Sequence, residues 1–253
     1  MGSEKTCELV RLAQMDMDLG RKIIGFKPKK DDRSVNGLGA DRSFIASRIG
    51  ISIPADLVDA EEMIKYIDNH PEIKTVAISE IHLFGAKGEM LIDLVKRYEK
   101  NQDRKLILDG LIRDFRGEAF PFGDSGRYVS DVMPFSRNIE KEGKCFYWPQ
   151  SGGEACGQPA YFTQRLFDGF PAPRDSPLLE VGGDRGRVVE YKGRKVIVTY
   201  KGVCQDHHFI GGERELEEIV NNKKFHFPQP IESLERPADS GLKSIYHGGS
   251  AVT

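Results

Sequence analysis

Apolar positions near the start of the chain recur at helical spacing. In "EKTCELVRLAQMDMDLG", Leu9, Val10, Leu12, Ala13 and Leu19 fall mostly on one face, and Gly20 is placed to end the helix. "RKIIGFKP" reads as a short apolar strand ended by Pro28. "PADLVDAEEMIKYIDNH" predicts a helix with Met63, Ile64 and Ile67 turned inward. "IKTVAISEIHLFG" predicts a buried strand over Thr75–Ile78 with polar residues just past its end. "KGEMLIDLVKRYEKN" is a further amphipathic helix, and "RKLILDGL" a further continuous apolar strand. Strands that are apolar throughout, alternating with helices, predict an α/β fold: a mostly parallel sheet covered by helices on both faces. Ligands of such sheets bind at the carboxyl ends of the strands, which directs attention to Ser79, Glu80 and the stretch after Leu111.

The pattern changes after about residue 122. Gly and Pro become frequent, and Cys145, Cys156 and Cys204 all fall in this part. "GRVVEYKGRKVIVTYKG" holds two alternating runs about Lys192-Gly193, the signal of a hairpin. The expected organisation is an α/β domain over 1–122, a smaller loop-rich domain over 123–212, and a helix ("ERELEEIVNNKKF") with a tail over 213–253.

Charge narrows the function. Against 37 basic residues stand 39 acidic ones, a net charge of -2, which argues against a broad nucleic-acid surface. No stretch approaches the roughly 18 consecutive apolar residues of a membrane span. Glu4, Glu8, Asp16 and Asp18 exclude a secretory or transit leader in the residues given, and a cytoplasmic protein is expected.

Three clusters carry candidate chemistry. Cys204-x-x-His207 has metal-ligand spacing, and with Cys145 and Cys156 it would suit tetrahedral zinc; spacing alone leaves open three unpaired thiols instead, because ten residues separate Cys145 from Cys156. Cys7 reads as a small buried apolar residue of the first helix. Glu80 follows a buried strand, where a general base or a metal-organising acid would sit, or else is a solvated loop residue. Asp114, Arg116 and Glu118 are similarly placed. Ser3-Glu4-Lys5-Thr6 looks like the end of a phosphate-binding loop; on its own it reads equally as a helix start with Ser3 as N-cap.

Four separated segments give the chain a family resemblance. "GLIRDFRGEAF" is similar to G-L-D-x-D-F-R-G-x-P-F, and "CGQPAYFTQRLFDGFPAPRDSPLLEVGG" to C-G-x-P-A-x-x-T-x-R-L…V-G-G. "FKPKKDDR" resembles the loop after the second strand, and "YKGVCQDHH" resembles Y-x-x-x-C-R-x-C-H. These are motifs of the thymidine kinases of the bacterial and human-cytosolic type. The resemblance implies a P-loop (RecA-like) α/β domain with a small zinc-bearing lasso domain. It implies phosphoryl transfer from ATP to the 5′-hydroxyl of thymidine with magnesium. Glu80 would be the general base. Ser3, Lys5, Thr6, Asp31, Arg33, Ser79 and His82 would form the ATP-magnesium side of the site. Leu83, Leu111, Phe120 and Thr163 would surround the base, and Val181, Gly182, Gly183 and Tyr200 would close over the nucleoside. Cys145, Cys156, Cys204 and His207 fall on the four zinc positions, the first pair spread by the insertion "FYWPQSGG". A homo-oligomer, commonly a tetramer in this family, is implied as well.

The chain departs from the family in its first loop and at two strand ends. The first strand and first loop glycine are missing, which favours a start further upstream. Glu4 replaces the glycine before the lysine. At an effective dielectric of about 20, a like charge at roughly 4 Å costs about 4 kcal/mol. Ser79 replaces the Asp that normally precedes the glutamate, and Ile112 replaces another Asp. The expected function is therefore a thymidine kinase, with a catalytically impaired nucleoside-binding relative as the alternative and a zinc module for nucleic acid as a third reading.

Overall fold

The computed structural model describes residues 5–31, 44–47, 50–101, 103–139, 141, 143–148, 153–181 and 186–212. The expected helix after residue 213 lies outside them.

The chain begins with α1 (Lys5–Asp18). Leu9, Val10 and Ala13 are buried as the periodicity predicts, but Leu19 lies past the helix end and is exposed, and Cys7 is only half-buried. Gly20 closes the helix with φ 73°, its N–H donating to the Met17 carbonyl at 2.8 Å. A charged residue shares the inner face. The buried Asp16 accepts from Thr75 Oγ1 at 2.8 Å and lies 3.2 Å from Lys105 Nζ, tying α1 to two strands.

Five strands form the main sheet: β1 (Ile23–Pro28), β2 (Phe44–Ala46), β3 (Ser52–Val58), β4 (Thr75–Ile78) and β5 (Lys105–Leu108), in the order β2-β3-β1-β4-β5. Only β2 runs antiparallel, against β3. The two faces follow from strand alternation. Ala77 points to α1 together with Ile45, Ile53, Ala55 and Ile107. Val76 and Ile78 point the other way, into a core with Phe26 and the inner faces of α2 (Ala60–Asn69) and α3 (Glu89–Glu99). Helices therefore cover both faces, as expected.

One expectation is corrected. "PADLV" is not the start of a helix; with Ser52 and Ile53 it is β3, and α2 begins only at Ala60. Asp59 sets that boundary with a capping box: its Oδ1 accepts from Glu62 N at 2.9 Å, while Glu62 Oε2 accepts from Asp59 N at 3.0 Å. Asp59→Ala is expected to lower unfolding free energy by about 1 kcal/mol, read as a lower urea midpoint at unchanged slope. Asp59→Asn, which keeps the acceptor, should recover most of it.

The remainder forms two small antiparallel sheets. β6 (Gly143–Lys144) pairs with β7 (Pro159–Ala160). β8 (Phe162–Phe167), β9 (Phe170–Pro171), β10 (Arg187–Tyr191) and β11 (Arg194–Val203) stand in the order β10-β11-β8-β9. The predicted hairpin is present: Lys192 and Gly193 both have positive φ, 48° and 74°, the two-residue turn that matches strand twist. Asp175 anchors it, accepting from Tyr191 Oη at 2.6 Å and pairing with Lys192 Nζ at 2.9 Å.

Candidate active site and metal centre

Strands β1, β4 and β5 are parallel, so their carboxyl ends open on one edge of the sheet. At the end of β4 sits Glu80, with φ 54° and ψ 49°. A left-handed conformation is uncommon for a side-chain-bearing residue and costs of order 1–3 kcal/mol, so its surroundings must impose it. Asp109, at the end of β5, does so: its Oδ1 accepts from Glu80 N at 2.6 Å and from Ser79 Oγ at 3.2 Å. The chain returns the bond, Ile81 N donating to the Asp109 carbonyl at 2.9 Å. Gly110 permits this closeness, since a Cβ there would meet Ile81 Cγ1 at 2.7 Å. Burial pushes the Asp109 carboxyl up to about 6, and the Glu80 carboxylate adds to the rise; Lys5 and the Thr6 hydroxyl pull the other way. Asp109 thus connects the first turn of α1 to the end of β4.

The other expected nucleotide-side residues are placed as follows. Lys5 and Thr6 open α1, where backbone N–H groups and the helix dipole favour an anion. Asp31, three residues past β1 on the same sheet edge, is buried and lies 3.4 Å from the buried Lys27 Nζ. Ser3, Glu4 and Arg33 lie outside the described residues. His82 is buried, with Nδ1 3.5 Å from Glu80 Oε2 and its ring edge-on to Phe120. Leu111 N donates to that same Nδ1 at 3.3 Å, so the proton of the neutral ring is on Nε2.

Leu83 and Phe120 are buried beside this edge, with Leu111 packed against the same core as Phe120. Leu178 and Leu179 join that core too, which carries the segment leading to Val181 across the 3-10 stretch Ile81–Gly88 that follows Glu80. Arg165 holds this segment. It is buried on β8 and donates to the carbonyls of Pro177 and, at 2.7 Å, Leu178, and to Ser176 Oγ at 3.3 Å. Its guanidinium stacks 3.9 Å from the Phe115 ring centroid and donates to Tyr200 Oη at 2.9 Å. Tyr200 in turn donates to the Glu180 carbonyl at 2.6 Å. Burial lowers the Arg165 pKa, offset in part by Tyr200. Thr163 precedes Arg165 by two positions on the same face of β8, opposite Gly202. Gly182 and Gly183 lie outside the described residues.

Asp114, Arg116 and Glu118 are braces. Asp114 is buried and accepts from the N–H groups of Arg116 and Glu118 at 2.8 and 3.1 Å. Arg116 donates to the carbonyls of Arg174 and Ser176 at 2.8 and 3.2 Å, and Glu118 pairs with Arg174.

Two residues were missed at sequence level. Asp109 satisfies the rule that singles out Glu80, a carboxylate directly after a buried strand, but the apolar run "RKLILDGL" absorbs it into the expected strand. Arg165 is a buried cation on the mixed strand Phe162–Phe167, and its meaning depends on partners at 176–178 and 200.

Cys145, Cys156, Cys204 and His207 converge, with all four ligand atoms within 4.8 Å of one another. Cys204 Sγ is 3.3 Å and Cys145 Sγ 3.6 Å from His207 Nδ1, and Cys156 Sγ is 4.0 Å from Cys204 Sγ. Tetrahedral zinc, with Zn–S about 2.3 Å and Zn–N about 2.0 Å, places sulfurs roughly 3.8 Å apart and sulfur to nitrogen roughly 3.5 Å. The cluster fits that ion. Tyr147 lies flat on the imidazole, centroids 3.9 Å apart, fixing its plane. In the metal-free cluster, burial pushes the Cys145 thiol up to about 11, so metal entry must displace its proton.

A parallel sheet whose strand ends gather carboxylates beside a helix N-terminus, with a Cys3His cluster bracing a strand-rich appendage, defines an α/β enzyme of the nucleotide-handling class. The thymidine kinase family model matches residues 1–208, and the chain belongs to that family of kinases. It is 31% identical over 216 residues to a thymidine kinase of Pyrobaculum aerophilum, covering 83% of this chain and 95% of that protein. A thymidine kinase of Thermococcus kodakarensis is 28% identical over 84% of this chain and 92% of its own length. One from Roseiflexus sp. RS-1 is 29% identical over 72% and 84%. No helix among the described residues is long and apolar enough to cross a membrane.

Proposed function

We propose that the protein transfers the γ-phosphoryl group of ATP to the 5′-hydroxyl of thymidine, giving thymidine monophosphate and ADP. The observation that supports this is Glu80, held left-handed at the sheet edge by Asp109, whose carboxyl also interacts with Lys5 and Thr6 of the α1 start. Glu80 takes the hydroxyl proton as the new O–P bond forms and the bond to the ADP oxygen breaks. Lys5, Thr6 and Ser3 hold phosphates, with Asp31, Arg33, Ser79 and His82 around them. Oxygen donors of this kind suit magnesium, which when bound neutralises charge on the β- and γ-phosphates. Leu83, Leu111, Phe120 and Thr163 bind the base. Val181, Gly182, Gly183 and Tyr200 close over the nucleoside and exclude water, a competing acceptor. Zinc at Cys145, Cys156, Cys204 and His207 is structural. A homo-oligomer, a tetramer by analogy with the family, is part of the same reading, and light scattering tests it.

The deciding experiment incubates the purified protein with ATP, magnesium and thymidine and follows product by chromatography. One thymidine monophosphate per ADP, dependent on thymidine, is the expected result. ADP formation indifferent to thymidine, or none, would overturn the assignment.

A further inference from the structure

Asp109 is a better-buried acid at the sheet edge than Glu80, and one of its oxygens lacks a use. Its Oδ1 is engaged by Ser79 and by the Glu80 N–H, whereas Oδ2, buried, has no hydrogen-bond partner among the described residues. A buried carboxylate oxygen without a partner is costly and in a native site points to an ion or water. The groups that bear on the Asp109 carboxyl are Glu80, which raises it, and the Lys5 ammonium and Thr6 hydroxyl of the α1 start, which lower it. Resting on the kinase reading above, we propose that Asp109 Oδ2 is the carboxylate oxygen this protein offers to the magnesium of ATP, so that the acid absent at Ser79 acts from the neighbouring strand.

The chemistry supports the exchange. Magnesium is a hard cation that takes one or two protein carboxylates and fills its remaining positions with water and phosphate oxygens. A serine at 79 donates to Oδ1 and so orients Asp109, leaving Oδ2 turned away from the bond. An aspartate at 79 would instead place a third carboxylate against Asp109 and Glu80, with like-charge repulsion on both.

Asp109→Asn keeps the Oδ1 acceptor and replaces Oδ2 by an amide that cannot bind a cation. In the full-length protein with a non-hydrolysable ATP analogue, manganese binding is measured from the free-ion electron paramagnetic resonance signal. The expected result is at least a tenfold weaker manganese affinity and a tenfold higher magnesium requirement for turnover, with the thymidine-induced melting shift unchanged. Adding Ser79→Asp to Asp109→Asn should recover part of the metal affinity. Unchanged manganese affinity in a folded Asp109→Asn protein overturns the proposal. Should that variant not fold, paramagnetic broadening by manganese in the wild-type protein decides: stronger broadening at the Gly110 amide than at Asp31 supports it, and the reverse overturns it. Asp109-dependent manganese binding without thymidine phosphorylation would fault the substrate assignment alone.

Discussion

Glu80→Gln is expected to lower kcat for thymidine phosphorylation by about two to four orders of magnitude, the usual contribution of a positioned general base. The substitution is narrow. Gln has the same shape and helix-like left-handed tolerance as Glu, and it keeps the N–H donated to Asp109 at 2.6 Å. It also removes the like charge that helps raise the Asp109 carboxyl, so the fold should not lose stability. Binding is a separate readout: thymidine should still raise the melting temperature as in the wild-type protein, because Leu83, Phe120 and the Arg165-held segment are untouched. A variant retaining kcat within threefold would remove Glu80 from the chemistry, and His82, 3.5 Å away, would be the next base to test.

Stripping metal should have the second large effect. The core around the Cys3His cluster is small, Cys145, Leu166, Val203 and Cys204 with Tyr147, Cys156 and Phe162 at its margin. Structural zinc sites in small peptides contribute about 10–16 kcal/mol of apparent binding, comparable with the 5–15 kcal/mol that holds a whole domain. A chelator at neutral pH, or Cys204→Ser, is therefore expected to unfold this part while the main sheet stays folded. Hydrogen exchange should accelerate over 143–148, 156–167 and 196–207 and remain slow in β1, β4 and β5. Thymidine should then give no melting shift, since Tyr200 and Arg165 lose the ladder that positions them. Elemental analysis should find one zinc per chain before treatment. Unchanged exchange after complete metal removal would mean that the three thiols hold the fold without it.

The main sheet was readable because β4 and the edge strand β5 are short, largely apolar runs; Thr75–Ile78 and Lys105–Leu108 needed no tertiary information. β3 was not, because Pro54 and Asp56 break its apolar run and "PADL" also suits a helix start. Only the Asp59–Glu62 reciprocal bonds locate the true one. Glu80 was legible from its place after a strand, but its backbone conformation was not, since that depends on Asp109 across the sheet. Spacing singled out Cys204 and His207 but left the full set open, because ten residues separate Cys145 from Cys156; the convergence of the four is a tertiary fact. Arg165 was invisible as a clamp because two of its acceptors are backbone carbonyls, which carry no residue signature, and its side-chain acceptors lie 11 and 35 residues away.

The left-handed backbone at Glu80 sets robustness against output at one position. Asn occupies that region of conformational space more readily than Glu, so relaxing the local strain and losing the carboxylate proposed as the base are the same step. Directed evolution for heat resistance alone would be rewarded there for silencing the protein. Any such selection must be coupled to product formation, or position 80 must be held fixed in the library.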